Sequence, residues 1–186
     1  MQSRLLATIA ALALTPVLSA SGDEYEVDPV NSFVTFNIEH FKVGRAYGRF
    51  NQFSGSVTYS PDKVDASKLN FTIKAASIDT GNSKRDDHLR NKDFFDVVQF
   101  PEITFNSKSV SGGKITGDLT MLGVKKEISA PFKVVGVGEH PGKKTPLLGA
   151  TATFTVKRSE FGMKYGLPDA LGDEVEITVA IEASKK

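Results

Sequence analysis

The chain has 186 residues, a formal net charge of +1 and no cysteine. A charge so near zero excludes the general basic field that favours binding to nucleic acid or to an anionic membrane. The absence of cysteine excludes disulfides and a thiol nucleophile, so a hydrophobic core must stabilise the fold. The length suits a single domain that is large enough to have such a core.

Residues 1–22 have the three-part pattern of a secretory signal peptide. Arg4 supplies the positive start, residues 5–18 form an almost unbroken apolar run, and residues 19–22 are small. The run is shorter than the about 20 residues that a membrane-spanning helix needs. We therefore predict cleavage between residues 19 and 22 and a mature domain over residues 23–186. The protein is expected in the periplasm or secreted, without insertion into a membrane.

Most of the mature chain alternates apolar with polar residues, which is the pattern of β-strands that bury one face. Six such runs lie at residues 34–40, 69–75, 115–121, 128–134, 151–156 and 175–181. A shorter run, opened by Pro101, carries Ile103 and Phe105 and predicts a seventh strand. Turn-forming residues separate the runs, so the chain is expected to pass from strand to strand through short connections.

The eighth predicted strand, residues 48–59, has an apolar pattern that changes parity midway. Phe50 and Phe53 both belong to the apolar face, yet their spacing is odd. One extra residue near Asn51 and Gln52 restores the facing, so we predict a β-bulge there. Eight strands with one apolar face each can close around a shared interior, which also removes exposed edges. The sequence therefore predicts an all-β, eight-stranded antiparallel barrel.

Residues 83–96 interrupt the strand pattern. They open with the spacing of a capping box, Ser83 to Asp86, and continue to Leu89, Phe94 and Phe95. We predict a short helical segment at one end of the barrel, with these three apolar side chains turned towards the interior. Two roles remain open for it: a movable lid that controls ligand access, or a plug that only fills the barrel end.

No motif for catalysis, metal binding or cofactor binding is present in the sequence. The chain lacks a Gly-x-Ser-x-Gly elbow, and His40, His88 and His140 are far apart without metal-ligand spacing. By parity His40 falls on the apolar face of its strand. It is therefore either a core histidine bonded to a backbone carbonyl or a polar contact to the head of a bound apolar ligand.

The apolar residues indicate a hollow interior. The chain has 13 phenylalanines and no tryptophan, and glycines and alanines such as Gly48, Gly55, Gly117 and Ala152 alternate with them on the inward parity. A barrel of about eight strands either fills itself or holds one small ligand. We predict a ligand cavity lined by Val34, Phe36, Ile38, His40, Phe50, Phe71, Ile73, Phe94, Phe95, Phe105, Leu119, Met121, Phe132, Phe154 and Phe161. The polar groups predicted at its mouth are His40, Arg45, Tyr47 and Arg158.

Several blocks of the chain together resemble the YceI-like family. They lie at residues 28–41, 48–55, 78–82, 85–90, 93–95, 100–105, 117–124, 158–162 and 172–177, and they span the mature chain. The most specific block runs from Ile78-Asp79-Thr80-Gly81-Asn82 through Arg85-Asp86-Asp87-His88-Leu89-Arg90 to Phe100-Pro101-Glu102. The resemblance implies a lipocalin-like barrel in an exported protein that binds polyisoprenoids or other long-chain lipids.

The function implied by this resemblance is to sequester or carry an amphiphile with a long tail, such as a polyisoprenoid, an isoprenoid quinone, or a fatty acid or amide. Two alternatives remain open: a small-barrel enzyme that acts on a lipid, and a stress-related structural protein without a ligand. No cofactor is expected. The sequence also leaves open whether the protein is a monomer or a homodimer.

Overall fold

A computed structural model describes residues 22–186. The predicted signal peptide and its cleavage site lie outside the described residues, so they stay predictions. The strands are β1 (Asp23–Val27), β2 (Phe33–His40), β3 (Gly44–Phe50), β4 (Phe53–Tyr59), β5 (Lys68–Lys74), β6 (Ile78–Asp79), β7 (Glu102–Ser111), β8 (Lys114–Met121), β9 (Val124–Glu139), β10 (Pro146–Lys157) and β11 (Leu171–Lys185). The helices are α1 (Ser83–Arg90) and the 3-10 helices η1 (Pro61–Ala66), η2 (Ala75–Ser77) and η3 (Arg158–Phe161).

Antiparallel pairing closes these strands into a barrel. The order around the wall is β1-β4-β5-β7-β8-β9-β10-β11, and β11 then pairs with β1. Each remaining strand continues a wall strand that is next to it in the sequence: β2 continues β1, β3 continues β4, and β6 continues β5. In this part of the wall β2 pairs with β11 and with β3, and β3 pairs with β6. The wall thus has eight strands, of which three are broken into two segments. This confirms the predicted eight-stranded antiparallel barrel.

The first strand begins earlier than the sequence pattern predicts. In β1, Tyr25 and Val27 are buried while Glu24 and Glu26 are exposed, so the alternation is present but lasts only five residues. A run this short is a weak signal on its own. Its partners supply the rest, since Tyr25 pairs with Val57 of β4 on one side and Lys185 of β11 on the other.

The predicted change of phase at Asn51 and Gln52 is present. Phe50 ends β3 and Phe53 begins β4, and both side chains are buried. The two residues between them leave the ladder and bond to η2 instead: the N–H of Asn51 donates to the carbonyl of Ser77 at 3.1 Å, and that of Gln52 to its Oγ at 3.0 Å. The irregularity is therefore a break between two strands rather than a bulge within one.

The helical segment is shorter than predicted and begins differently. Helix α1 ends at Arg90, and turns follow up to the start of β7. Its N-cap is Asn82, whose side chain accepts from the N–H of Arg85 at 3.1 Å. The predicted capping box at Ser83 is wrong, because the carboxylate of Asp86 accepts from Thr80 instead.

Two ends of the barrel can be distinguished by the connections they hold. One end has the turn between β2 and β3 (the β2–β3 turn, residues 41–43), helix α1, and the segment between η3 and β11 (the mouth loop, residues 162–170). The far end has η1 and the β7–β8 and β9–β10 turns. Within residues 22–186, the helices are all too short or too polar to cross a membrane.

Candidate functional site

The barrel encloses one large cavity with a volume of about 620 Å³. This lies within the range of roughly 300–1,000 Å³ that is usual for ligand pockets. Residues of β2, β3, β5 to β11 and α1 line it, and most are aliphatic or aromatic. None of the described residues that line the cavity is Asp or Glu. The interior is therefore suited to an apolar ligand.

The burial of the inward side chains indicates that the barrel is not filled. Leu119 and Met121 are buried, but Phe36, Phe132 and Phe154 are only half-buried although they occupy the inward face of their strands. In a close-packed core, side chains at such positions lose nearly all their accessible surface. The surface that remains on these rings faces the cavity.

Glycines in the wall hold the aromatic rings away from the centre. A Cβ on Gly48 would lie 2.4 Å from Cζ of Phe36, and one on Gly55 would lie 2.6 Å from Cδ2 of Phe71. In each case the glycine and the phenylalanine are direct cross-strand partners. The rings lie directly over the glycines, in space that the sequence predicted to be empty. Because the rings lie against the wall, the centre of the barrel stays open.

The predicted lining residues lie on the cavity wall with one exception. The exception is Phe161, the last residue of η3, which is 2 % exposed and packs in the hydrophobic core rather than on the cavity. The period-two pattern does not apply there, because η3 turns the chain away from the wall after β10. Whether the other predicted residues contact a ligand stays a prediction.

The cavity opens between the β2–β3 turn, the mouth loop and α1. The exposed members of its lining are concentrated there and include Phe41, Val43 and Tyr165. The turn is attached to the mouth loop, since the N–H of Phe41 donates to the carbonyl of Ala170 at 2.9 Å. Tyr165 joins the loop to α1, because its ring lies 4.9 Å from that of His88 and 5.2 Å from that of Phe94.

His40 lies at the mouth rather than in the interior. It is the last residue of β2, it is exposed, and its ring contacts that of Phe41 with centroids 4.2 Å apart. The parity of β2 is as predicted, but the strand ends at the rim, where an inward position is open to water. Of the two interpretations of this residue, the buried core histidine is therefore wrong.

Arg45 and Tyr47 also border the mouth, but they alternate with the inward residues of β3. The guanidinium of Arg45 donates to Oδ1 of Asn37, whose amide in turn donates to Glu176 at 2.8 Å. All three belong to the outward parity of their strands. The charge of Arg45 is thus engaged on the outer surface, which weakens its assignment as a contact to the ligand.

Arg158 is a buried anchor beneath the mouth. It is 1 % exposed, and its guanidinium donates to the carbonyls of Gly172 at 2.8 Å, Met163 at 3.1 Å and Leu171 at 3.3 Å. Burial lowers the pKa of this guanidinium, and the charge of Asp173 opposes that change. The usual pKa of an arginine is so high that the side chain remains charged at neutral pH even when burial lowers it. Its contacts attach the mouth loop to the start of β11.

Asp173 completes this anchor. Its carboxylate accepts from the backbone N–H of Ser159 at 2.9 Å and from its hydroxyl at 2.7 Å. Burial alone would raise the pKa of Asp173, but these hydrogen bonds and the charges of Arg158 and Lys157 outweigh it, so the pKa lies below its usual value. The sequence analysis assigned Arg158 to ligand contact, whereas its donors are directed at the backbone.

The α1 side of the mouth carries polar groups that sequence reasoning did not select. Thr80 and Arg85 both line the cavity, and the guanidinium of Arg85 donates to the hydroxyl of Thr80 at 2.7 Å and to its carbonyl at 2.8 Å. His88 also lines it, and its Nε2 lies 3.0 Å from Oδ2 of Asp93. No periodic pattern marks these residues, since a helix and a loop position them.

The cavity has few convergent polar groups. Its walls are apolar apart from Thr35 and Thr151, and its other polar side chains gather at the open end. A closed antiparallel barrel with an apolar interior and a polar mouth defines the class of lipocalin-like binding barrels. The chain belongs to the YceI-like family within that class, because a model of the YceI-like domain matches residues 25–183.

Individual relatives agree with this assignment. Protein YceI of Salmonella newport is 36% identical over 190 residues, which cover 98% of this chain and 97% of the relative. The crystal structure of BcnA from Burkholderia cenocepacia has a TM-score of 0.75 at 27% identity, over 84% of this chain and 98% of BcnA. A polyisoprenoid binding domain from Saccharophagus degradans shares the fold, with a TM-score of 0.69 at 15% identity over 87% of this chain and 98% of that domain.

Proposed function

We propose that this protein holds a long-chain amphiphile in its barrel, with the tail in the cavity and the polar head at the mouth. The observation that carries the proposal is the cavity itself, whose volume is about 620 Å³ and whose lining is apolar along the strands. A close-packed barrel would have no such volume. The role that follows is to carry or sequester the lipid rather than to transform it.

The energetics favour a ligand with a long tail. Each CH₂ group that leaves water for an apolar site contributes about 0.8 kcal/mol. About 15 such groups would contribute about 12 kcal/mol, which offsets an association cost of about 4 kcal/mol and leaves a dissociation constant in the micromolar range. Affinity thus needs few polar contacts, and the length of the tail becomes the main selector.

The polar head is assigned to the mouth because the polar side chains of the lining lie there. Thr80, Arg85 and His88 border it on the α1 side, and His40 borders it at the end of β2. The hydroxyl of Thr80 donates to Asp86 and two N–H groups of Arg85 donate to Thr80, so the donors left for a ligand are the other N–H groups of Arg85 and the imidazoles; no carboxylate among the described residues lines the cavity. Ligands whose heads accept hydrogen bonds, such as quinones, amides, carboxylates or phosphates, are therefore favoured over ammonium heads.

Isoprenoid lipids are the first ligands to test. A polyisoprenoid binding domain from Saccharophagus degradans has the same fold, and an apolar cavity of this volume also suits the tail of a fatty acid or amide. The pattern of residues 1–22 supports a location in the periplasm or outside the cell. In such a compartment a carrier would keep a poorly soluble lipid in solution.

A tryptophan reporter tests the proposal directly. The chain has no tryptophan, so a Phe132→Trp variant places the sole indole on the cavity wall. Titration with geranylgeraniol, a long-chain quinone or oleic acid should change its emission in a saturable way. Native mass spectrometry of the unmodified protein should show the corresponding added mass.

A matched pair of variants tests the site. Ala152 faces the cavity beside Phe132, whereas Thr153 is exposed on the opposite face of the same strand. In the Phe132→Trp background, Ala152→Phe should weaken binding by about tenfold or more, because a ring then occupies the space of several CH₂ groups. Thr153→Phe should leave affinity unchanged. Equal binding by both variants, or no saturable binding by any ligand, would contradict the proposal and favour a structural role.

A further inference from the structure

Large apolar side chains are exposed around the mouth of the cavity. Phe41 is 58% exposed, Val43 is 89% exposed and Tyr165 is 50% exposed, and all three also belong to the lining of the cavity. We call these three residues the apolar rim. Single exposed apolar residues are ordinary on protein surfaces, but a group around a binding site commonly marks an interaction surface. The rim continues the apolar lining of the cavity outward, between the polar groups of the mouth.

The backbone of the β2–β3 turn adds an independent observation. Phe41 has a φ of 50° and Lys42 a φ of 58°, so both central residues adopt the left-handed conformation. Hairpin turns with two positive φ angles strongly prefer Asn and Gly, since a bulky side chain is strained there. The turn thus holds a solvent-exposed phenylalanine at a position that disfavours it. Such a combination points to a role for the ring outside the folded monomer.

The β2–β3 turn lacks a cluster of positive charge. Lys42 forms an ion pair with Asp169 of the mouth loop at 3.0 Å, and Arg45 donates to the neutral side chain of Asn37. Polybasic clusters are what select an anionic membrane surface, and the turn has none. An apolar tip with few charges beside it suits an interface made of apolar tails below and mixed charges above, which is the surface of a zwitterionic lipid bilayer.

We propose that the apolar rim inserts into the surface of a lipid bilayer, so that the cavity opens directly onto the membrane from which the ligand is taken. The inference rests on the proposed lipid-binding function and adds the route of loading; it replaces the expectation of no membrane insertion with shallow insertion of one turn, without a spanning segment. Phe41 and Val43 form the inserting tip, and Tyr165 lies at the interface, where its ring contacts apolar tails and its hydroxyl contacts water. A tail can then pass into the barrel without crossing water.

A second copy of the chain is a less suitable occupant for the rim. Stable protein interfaces bury about 1,200–2,000 Å² in total, with contributions from about 20–30 residues on each side. Three side chains around an open cavity are far fewer than such an interface needs. A bilayer requires no complementary shape, so a small apolar tip is sufficient for reversible binding.

Vesicle flotation tests the proposal with the full mature protein. The probe is a vesicle of phosphatidylethanolamine and phosphatidylcholine, with and without phosphatidylglycerol. The test variant is Phe41→Asn with Val43→Thr, and the control is Val135→Thr with Val137→Thr, which removes exposed apolar residues of β9 that lie away from the mouth. The partition coefficient of the test variant should fall by about tenfold or more, because two apolar side chains leave the bilayer.

Three outcomes would overturn the proposal. The test variant would bind vesicles as well as the control, or binding would require phosphatidylglycerol and disappear in high salt, or the rim would hold two copies together, as judged by light scattering. Binding of oleic acid without vesicles, read from the Phe132→Trp reporter, separates this proposal from the function on which it rests. Flotation needs no ligand, so a loss of vesicle binding by the test variant alone supports the rim even if the reporter shows no binding of oleic acid, and the converse result supports the function alone.

Discussion

Two regions at the mouth end of the barrel depart from the rule that charged side chains are exposed and aromatic side chains are buried. Arg158 is a charged side chain that is 1% exposed, whereas Phe41, in the adjacent β2–β3 turn, is an aromatic side chain that is 58% exposed. Arginine is rarely buried fully, and phenylalanine is commonly buried. Each region therefore costs free energy, and the two differ in whether the fold offsets that cost.

The fold offsets the cost at Arg158. Its guanidinium donates to three backbone carbonyls, and Asp173 nearby carries the opposite charge. The turn is bonded to the mouth loop through its backbone and Lys42, but nothing comparable offsets the exposed ring of Phe41, which makes one ring contact, with His40, and lies at an unfavourable φ angle. A buried charge whose hydrogen bonds are all satisfied, such as Arg158, is explained by the fold. An exposed aromatic ring that the fold does not stabilise, such as Phe41, is explained by function.

The largest effect is expected from removing the anchor. Arg158→Met should lower the free energy of unfolding by about 3–5 kcal/mol, because three buried carbonyls and Asp173 lose their partner. Urea denaturation of the mature protein measures it. Lys157→Met, at the exposed neighbouring position, is the control and should change stability by less than about 0.5 kcal/mol. If Arg158→Met lowered the free energy of unfolding only slightly, the hydrogen bonds of Arg158 would not distinguish this region from the β2–β3 turn.

A smaller effect of opposite sign is expected at the turn. Phe41→Asn with Lys42→Gly should raise the free energy of unfolding by about 1 kcal/mol, because both new residues tolerate a positive φ. The same denaturation assay measures the gain. A matched Phe41→Ala with Lys42→Ala variant separates backbone strain from the loss of the ring. A loss of stability in the Asn-Gly variant would show that Phe41 belongs to the core.

The smallest effect on stability is expected at His40. His40→Ala should change the free energy of unfolding by less than about 0.5 kcal/mol, because the side chain is exposed at the end of β2. If its ring contacts the head of the ligand, the same variant should weaken binding of oleic acid to the Phe132→Trp reporter. Unchanged affinity would remove His40 from the site and leave the α1 side as the sole source of polar contacts.

The architecture was predictable because burial and strand geometry impose the same period. Runs such as 115–121 and 175–181 alternate over enough residues to identify a face, and the change of parity between Phe50 and Phe53 locates the break in the wall. β1 was missed because its run is short and depends on partners distant in sequence. The strand pattern also located most of the cavity lining, since inward residues follow from parity alone.

The mouth was harder to predict, because loops and strand ends position its residues. The alternation of apolar and polar residues in β2 predicted an inward position for His40. That alternation does not show where the strand reaches the rim of the barrel. Phe161 and Arg158 lie in η3, where the period-two pattern has ended. The contact between Tyr165 and α1 joins segments far apart in sequence, so local pattern contains no signal for it.

The last strand has a consequence for the order in which the protein assembles. β11 pairs with β10 on one side and with both β1 and β2 on the other. The ring therefore cannot close until β11 has been synthesised. The contacts between β1 and β11, which are far apart in the sequence, also raise the contact order, which slows folding. Until β11 is paired, β1, β2 and β10 each keep an unpaired edge, so the barrel is most open to pairing with strands of other molecules just before it closes.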